Sequence, residues 1–225
     1  MKWFVILGLL APRALSQGCG GNPRIVTREE WGARPPNSET SMSTPVPFVI
    51  IHHTVTPHCH SISDCIPLVQ LMQDLHMDTN GWDDIGYRQA EIKSPLNFVC
   101  LPNRFRTFLT TASDFGHVPK VLNFLVGEDG NVYEGRGWDR VGAHTPGFNS
   151  RGIAISVIGN YMEVLPNSAA MNTIEDLIDC GIGLGKIQSG YSLMGHRQAS
   201  ATLCPGDMLY DEITTWDHFD PSPSR

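Results

Sequence analysis

The sequence predicts an α/β domain with a mixed central β-sheet flanked by helices, on the strength of three observations. Short apolar, β-branched runs of strand length alternate along the chain with segments whose apolar residues recur at helical spacing. Two strand runs are separated by Gly127-Glu128-Asp129-Gly130, and Asp-Gly supplies the positive φ that a hairpin turn requires, so one antiparallel pair belongs to the sheet. With 225 residues and 41% apolar content, the chain can bury a sizeable core and suits a single domain.

Taken in order, Met1-Lys2, the apolar run 3–11 and the small-x-small site Ala14-Leu15-Ser16 read as a secretion signal over residues 1–16, leaving a domain of 17–225. That run is too short to cross a bilayer, and no later stretch reaches the roughly 20 apolar residues of a membrane span. A secreted, extracellular protein is expected. Residues 35–45 form a polar, proline-bounded loop. Residues 47–52 are continuously apolar up to His52, which suits a strand buried on both faces. Cys65, Leu68, Val69, Met72 and Leu75 follow at helical spacing, with Ser63 as the N-cap candidate. Strands are expected at 122–126 and 132–135 around the turn, then at 152–158. Met171, Ile174, Leu177, Ile178 and Ile182 mark a second helix, with Asn167 as its N-cap. A strand at 191–194 and a weaker helix through Leu209, Ile213 and Trp216 complete the pattern, and 221–225 is a tail.

Charge excludes one class of partner. The formal net charge is −7, and loss of the leader removes Lys2 and Arg13 but no acid, giving −9. Such a chain has no bulk attraction for nucleic acid, so recognition must come from a shaped site.

Six cysteines in an oxidising compartment invite pairing. Cys59 and Cys65 close a seven-residue loop, worth about 2 kcal/mol in the chain-entropy model, and Cys19 with Cys180 are candidates for a second bridge. That leaves Cys100 and Cys204. With His52 and His196, Cys204 makes two imidazoles and one thiolate, the set a catalytic zinc takes when its fourth position stays open. Each member alone has a plainer reading: His52 as a satisfied core histidine, Cys204 as an inert buried thiol or a disulfide partner. Successive strand side chains point to opposite faces, so only one of His52 and His53 can address a given metal. Ile50 and Ile51 make both faces apolar, and periodicity does not choose between them. Pro205 is favoured at the first position of a helix, which would put Cys204 at a helix N-terminus where its thiolate is favoured.

Several longer motifs now stand in order: Ile25-Val26-Thr27-Arg28-Glu29-Glu30-Trp31-Gly32-Ala33, residues 49–54, Gly81-Trp82-Asp83-Asp84-Ile85-Gly86-Tyr87, residues 123–130, Val132-Tyr133-Glu134-Gly135-Arg136-Gly137-Trp138, Gly142-Ala143-His144 and Gly195-His196-Arg197. Over nearly all of 19–219, apart from one segment, the chain resembles the peptidoglycan recognition proteins, relatives of bacteriophage-type zinc amidases. The resemblance implies hydrolysis of the bond between the lactyl group of N-acetylmuramic acid and L-alanine in bacterial peptidoglycan, with muropeptides as the bound partners and Zn2+ as the cofactor. It selects His52 over His53 as ligand, with His196 and Cys204. It places Tyr87 to hydrogen-bond the reacting water or the developing oxyanion. Thr202 stands where phage enzymes have lysine and animal members commonly threonine, which implies an auxiliary catalytic role.

The groove positions His53, Thr54, His76, Tyr87, His144 and Asn149 match residues that hold the muramyl-peptide in relatives, whereas Asn80 departs from a frequent arginine. Gly81 and Trp82 with Arg136 resemble the subset preferring meso-diaminopimelic stems, in which a guanidinium meets the extra carboxylate. Many family members have lost the cysteine ligand and serve as binding receptors; here Cys204 accompanies both histidines. A non-catalytic pattern receptor is the alternative. Relatives run from the glycine-tyrosine pair directly into Asn-Phe-Leu, whereas residues 88–122, carrying Cys100, intervene here. A retained intron or alternative exon accounts for such a segment, and so does a lid over the groove. Displacement of Tyr87 by the segment would favour the receptor reading.

Overall fold

A computed structural model describes residues 19, 21–85 and 122–224. The leader, Tyr87, Cys100 and the intervening segment up to residue 121 lie outside the described residues. Among the described residues six strands form one mixed sheet: β1 (Ile25–Val26), β2 (Val46–His53), β3 (Phe124–Val126), β4 (Val132–Glu134), β5 (Gly152–Val157) and β6 (Ile187–Gly195), in the spatial order β1-β4-β3-β5-β2-β6. Only β3 and β4 pair antiparallel; the other neighbours are parallel. The β3–β4 turn is the expected one, with Gly130 at φ 75° and its amide donating to the Gly127 carbonyl at 3.1 Å.

The helices are α1 (Ile62–Asp74), extended by a π-helical turn (Leu75–Thr79), α2 (Ser168–Gly183) and α3 (Asp207–Ile213). Strand alternation assigns each to a face. Past the register shift, the even-numbered β2 residues 48–52 share a side with α1, whose Cys65, Val69 and Met72 pack with Leu125, Tyr133 and Ala154, the residue paired with Ile50. Odd-numbered residues face α2 and α3, where Ile174, Leu177, Leu209 and Ile213 join Val49, Ile51, Ile155 and Val157. The sheet is therefore buried on both sides, as the unbroken apolar character of β2 demands. None of the described helices is long and apolar enough to cross a membrane.

Several boundaries differ from expectation. The N-cap of α1 is Ser61, not Ser63; its hydroxyl donates to Asp64 at 2.6 Å instead of capping a backbone amide. Asn167 caps α2 as expected, accepting from the Ala170 amide at 2.9 Å. The last strand begins at Ile187, four residues earlier than its apolar pattern suggests, because the β2–β6 register shifts between Val46 and Phe48 and leaves the polar stretch 188–190 exposed. Trp216 lies beyond α3. Cys59 is bonded to Cys65, with Cα atoms 5.1 Å apart, and Cys19 to Cys180, at 5.2 Å. Among the described residues Cys204 is the unbridged cysteine.

Candidate metal centre

β2, β5 and β6 are adjacent parallel strands, so their carboxyl ends share one edge of the sheet, where open α/β sheets place their ligands. β2 ends in His52 and His53. β6 ends at Gly195, which lies in register with Ile51, and the next residue, His196, opens a 3-10 turn. Sheet pairing thus sets His52 beside His196, with ring centroids 4.5 Å apart. The chain then loops back through Cys204. That loop is pinned where the Arg197 amide donates to the Cys204 carbonyl at 2.9 Å and the Cys204 amide donates to Thr202 Oγ1 at 3.2 Å.

The Cys204 sulfur lies 3.7 Å from His52 Nδ1, and one donor atom from each of His52, His196 and Cys204 falls within 4.8 Å of the others. All three residues are buried, and His52 Nε2 has no hydrogen-bond partner among the described residues. Burial first, then the neighbouring histidines, holds His52 well below the usual imidazole range, so it is a neutral donor. Burial also pushes the Cys204 thiol up to about 12, against the His53 amide and Arg197, which lower it.

The expected helix N-terminus is not the reason for any thiolate here. Gly206, the N-cap of α3, has φ 99°, so the helix starts at Asp207 and leaves both Cys204 and Pro205 outside it. A Cβ on Gly206 would lie 2.3 Å from the Tyr161 carbonyl oxygen, which keeps that position glycine.

The remaining residues anticipated for the site divide by what they touch. His53 points to the opposite side of the sheet: its Nδ1 accepts from the Tyr161 amide at 3.3 Å, while its own amide donates to the Cys204 sulfur at 3.4 Å. Thr54 Oγ1 accepts from the Gly159 amide at 2.9 Å. Both side chains are buried in contacts of the fold. His144 stands edge-on to His52 at 5.4 Å, fully buried, its Nδ1 hydrogen-bonded to Thr145 Oγ1 and its Nε2 without a partner among the described residues. Burial pushes it down to about 3. His76, on the π-helical turn, stacks on Trp82 at 4.7 Å with both ring nitrogens buried and unpartnered among the described residues. Gly81, at φ 66°, turns the chain between them. Arg136 is 7% exposed and donates from Nη1 to the Val141 carbonyl at 2.9 Å; burial lowers its pKa, opposed first by Asp84 and Asp83.

Asn149 acts one step back. Its Oδ1 accepts from the amides of His144 and Thr145, at 2.8 and 2.7 Å, and so fixes the backbone that aims His144. Asn149→Ala should therefore cost about 1–3 kcal/mol in urea unfolding by leaving two amides without their acceptor, while Asn149→Asp, which keeps an acceptor, should cost less.

Ser156, which the sequence reading did not single out, and Gly142 of the Gly142-Ala143-His144 motif shape the same face. Ser156, directly across from His52 in the β2–β5 register, buries a hydroxyl with no partner among the described residues. Strand pairing, once known, is the signal that finds it. Gly142 abuts His144: an added Cβ would lie 2.4 Å from His144 Cδ2.

A family model described as N-acetylmuramoyl-L-alanine amidase matches residues 42–207. The chain is 36% identical over 223 residues to the human N-acetylmuramoyl-L-alanine amidase, which covers 96% of this chain and 33% of that protein. It is 37% identical over 195 residues to peptidoglycan-recognition protein SC2 of Drosophila melanogaster, 87% of each chain. The chain thus spans about a third of the human amidase and most of the insect protein. Among solved structures, bumblebee PGRP-SA matches with a TM-score of 0.72 at 36% identity, covering 89% of this chain and 99% of that one. Peptidoglycan recognition protein-LE, in complex with tracheal cytotoxin, a monomeric diaminopimelic acid-type peptidoglycan, matches at 0.70 and 36%, covering 87% and 95%.

Proposed function

The chain belongs to the N-acetylmuramoyl-L-alanine amidase family, among its peptidoglycan recognition proteins, and from that premise we propose that it is a secreted zinc amidase cutting the N-acetylmuramic acid to L-alanine bond of bacterial peptidoglycan, in innate immunity. The observation that carries this reading is the gathering of His52, His196 and Cys204 within 4.8 Å at the carboxyl edge of three parallel strands. A recognition fold that only binds glycan gives no reason for two imidazoles and a thiol to meet there.

The donor set fits zinc: two nitrogens and a sulfur, buried, with the His52 imidazole held neutral. His52, His196 and Cys204 would hold it. When bound by those residues, the group would supply Lewis acidity: a deprotonated thiol, a more acidic water and a polarised scissile carbonyl. The protein's part is placement. The His53 amide directs a hydrogen bond at the Cys204 sulfur, and Thr202 Oγ1 anchors the Cys204 amide, so Thr202 acts by positioning the ligand loop. His144, neutral and with an open Nε2 beside His52, can donate to the substrate carbonyl, and Tyr87 would add a second donor. His76, with both ring nitrogens open, and Trp82 would present the stem-peptide wall, with Asn149 holding His144 in place.

Stem-peptide release from purified peptidoglycan, measured with and without chelator, tests the amidase reading. Release that stops on chelation and returns with zinc supports it; retention on peptidoglycan with no release makes the chain a receptor. The placement of Arg136 with Gly81 and Trp82 supports a preference for meso-diaminopimelic stems, in which a guanidinium can meet the extra carboxylate. Diaminopimelate-type muropeptides should be turned over faster than lysine-type ones, and the reverse order overturns the preference.

A further inference from the structure

We propose that His58, His60 and Glu128 form a second divalent transition-metal site, built from residues outside the His52, His196 and Cys204 set. Both imidazoles converge on one carboxylate oxygen. His58 Nδ1 lies 3.2 Å and His60 Nδ1 3.3 Å from Glu128 Oε2. Two ligands at ~2.1 Å from one tetrahedral ion stand about 3.4 Å apart, so each histidine already keeps the spacing to the carboxylate that shared coordination needs.

Three features organise the cluster. The Glu128 side chain is only 7% exposed, and among the described residues its ion-pair partners are these two histidines, with no lysine or arginine. A nearly buried carboxylate in that setting gains from a divalent cation. Its second oxygen, Oε1, accepts from the Asn167 amide at 3.0 Å, which orients Oε2 toward the imidazoles in the manner of an outer-shell contact. Between the two histidines, Cys59 is buried and bonded to Cys65, so the His-Cys-His stretch is anchored to α1 at its middle residue.

Among the described residues, the set already tight enough for one ion is the His52 cluster, so binding here requires one ring to move. His60 can do so, being 67% exposed on its side chain, whereas His58, at 31%, is braced edge-on against Tyr161 at 5.0 Å. Two imidazoles and a carboxylate on a solvent-facing rim suit Zn2+, Ni2+ or Cu2+ better than Ca2+ or Mg2+, which take oxygen ligands. A bound ion would tie the loop after β2 to the β3–β4 hairpin and, through Asn167, to the start of α2.

The test is metal stoichiometry on the chelator-stripped chain, with Zn2+ counted after dialysis and Co2+ read by the near-ultraviolet absorption that thiolate ligation produces. Wild type should bind two ions. His60→Ala and His58→Ala should each bind one, with the thiolate absorption intact and amidase activity unchanged, and Cys204→Ser should keep one ion without that absorption. Equal stoichiometry in wild type and His60→Ala overturns the site, as does a single wild-type ion that carries the thiolate absorption. A single wild-type ion that lacks it and disappears in His60→Ala supports this site while removing the metal assignment to His52, His196 and Cys204.

Discussion

Cys204→Ser should abolish zinc-dependent stem release and weaken zinc binding more than about 100-fold, a larger loss than outer-shell changes produce. Serine fits the space, because the position is buried at 3% exposure and the hydroxyl is smaller than the thiol. It can still accept from the His53 amide, which now donates to the sulfur at 3.4 Å. What it cannot supply is the anion. A thiol pushed up to about 12 by burial remains within reach of deprotonation by a bound divalent cation, whereas a buried serine hydroxyl does not. The variant should therefore fold with near wild-type stability, retain peptidoglycan binding and lose the ion assigned to His52, His196 and Cys204. Competition against a chelator of known affinity and a stem-release assay read the two halves separately. Full activity in Cys204→Ser would refute the ligand assignment.

Much of the fold was legible because its signals are local. The β-branched run ending at His52 specifies a doubly covered strand, and Asp129-Gly130 specifies the one antiparallel turn; both depend on a few adjacent residues. Boundaries set by partners were not legible. β1 is two residues long and exists only because Ile25 and Val26 find Val132 and Tyr133. The start of β6 depends on a register shift against β2.

The site shows the same division. Its residue types and long-range spacing were readable, but the choice between His52 and His53 was not, since Ile50 and Ile51 make both faces equally apolar. Strand alternation puts the two on opposite sides: His52 lies with His144 and Ser156, and His53 faces Tyr161. Pro205 misled for an equally physical reason. Its preference for a helix start is a local tendency, overridden by the close approach of Gly206 to the Tyr161 carbonyl.

Trp31→Ala should be strongly destabilising, by about 3–5 kcal/mol in urea unfolding, with a drop in melting temperature of roughly 10 °C. The indole is 1% exposed, on the segment between β1 and β2, within the cluster formed by α1 residues Val69 and Met72 with Leu125 and Tyr133. Truncation removes that packing and also orphans a polar group, because Trp31 Nε1 donates to the Glu134 carbonyl at 2.8 Å. The Arg28 guanidinium, 5.5 Å from the ring centroid, loses its aromatic face as well. Trp31→Phe separates these contributions, since it keeps most of the packing and loses the indole hydrogen bond, and it should cost about 1–3 kcal/mol. The candidate ligands His52, His196 and Cys204 sit on β2, the 3-10 turn after β6 and the loop that follows, away from the cluster that holds Trp31. Below its lowered transition the alanine variant should still bind zinc, whereas peptide binding should weaken, because Gln70 of α1 bonds the Trp31 carbonyl at 2.8 Å and α1 leads directly into the turn that carries His76. A cost below about 1 kcal/mol for Trp31→Ala would mean that this cluster does not hold α1 against the sheet.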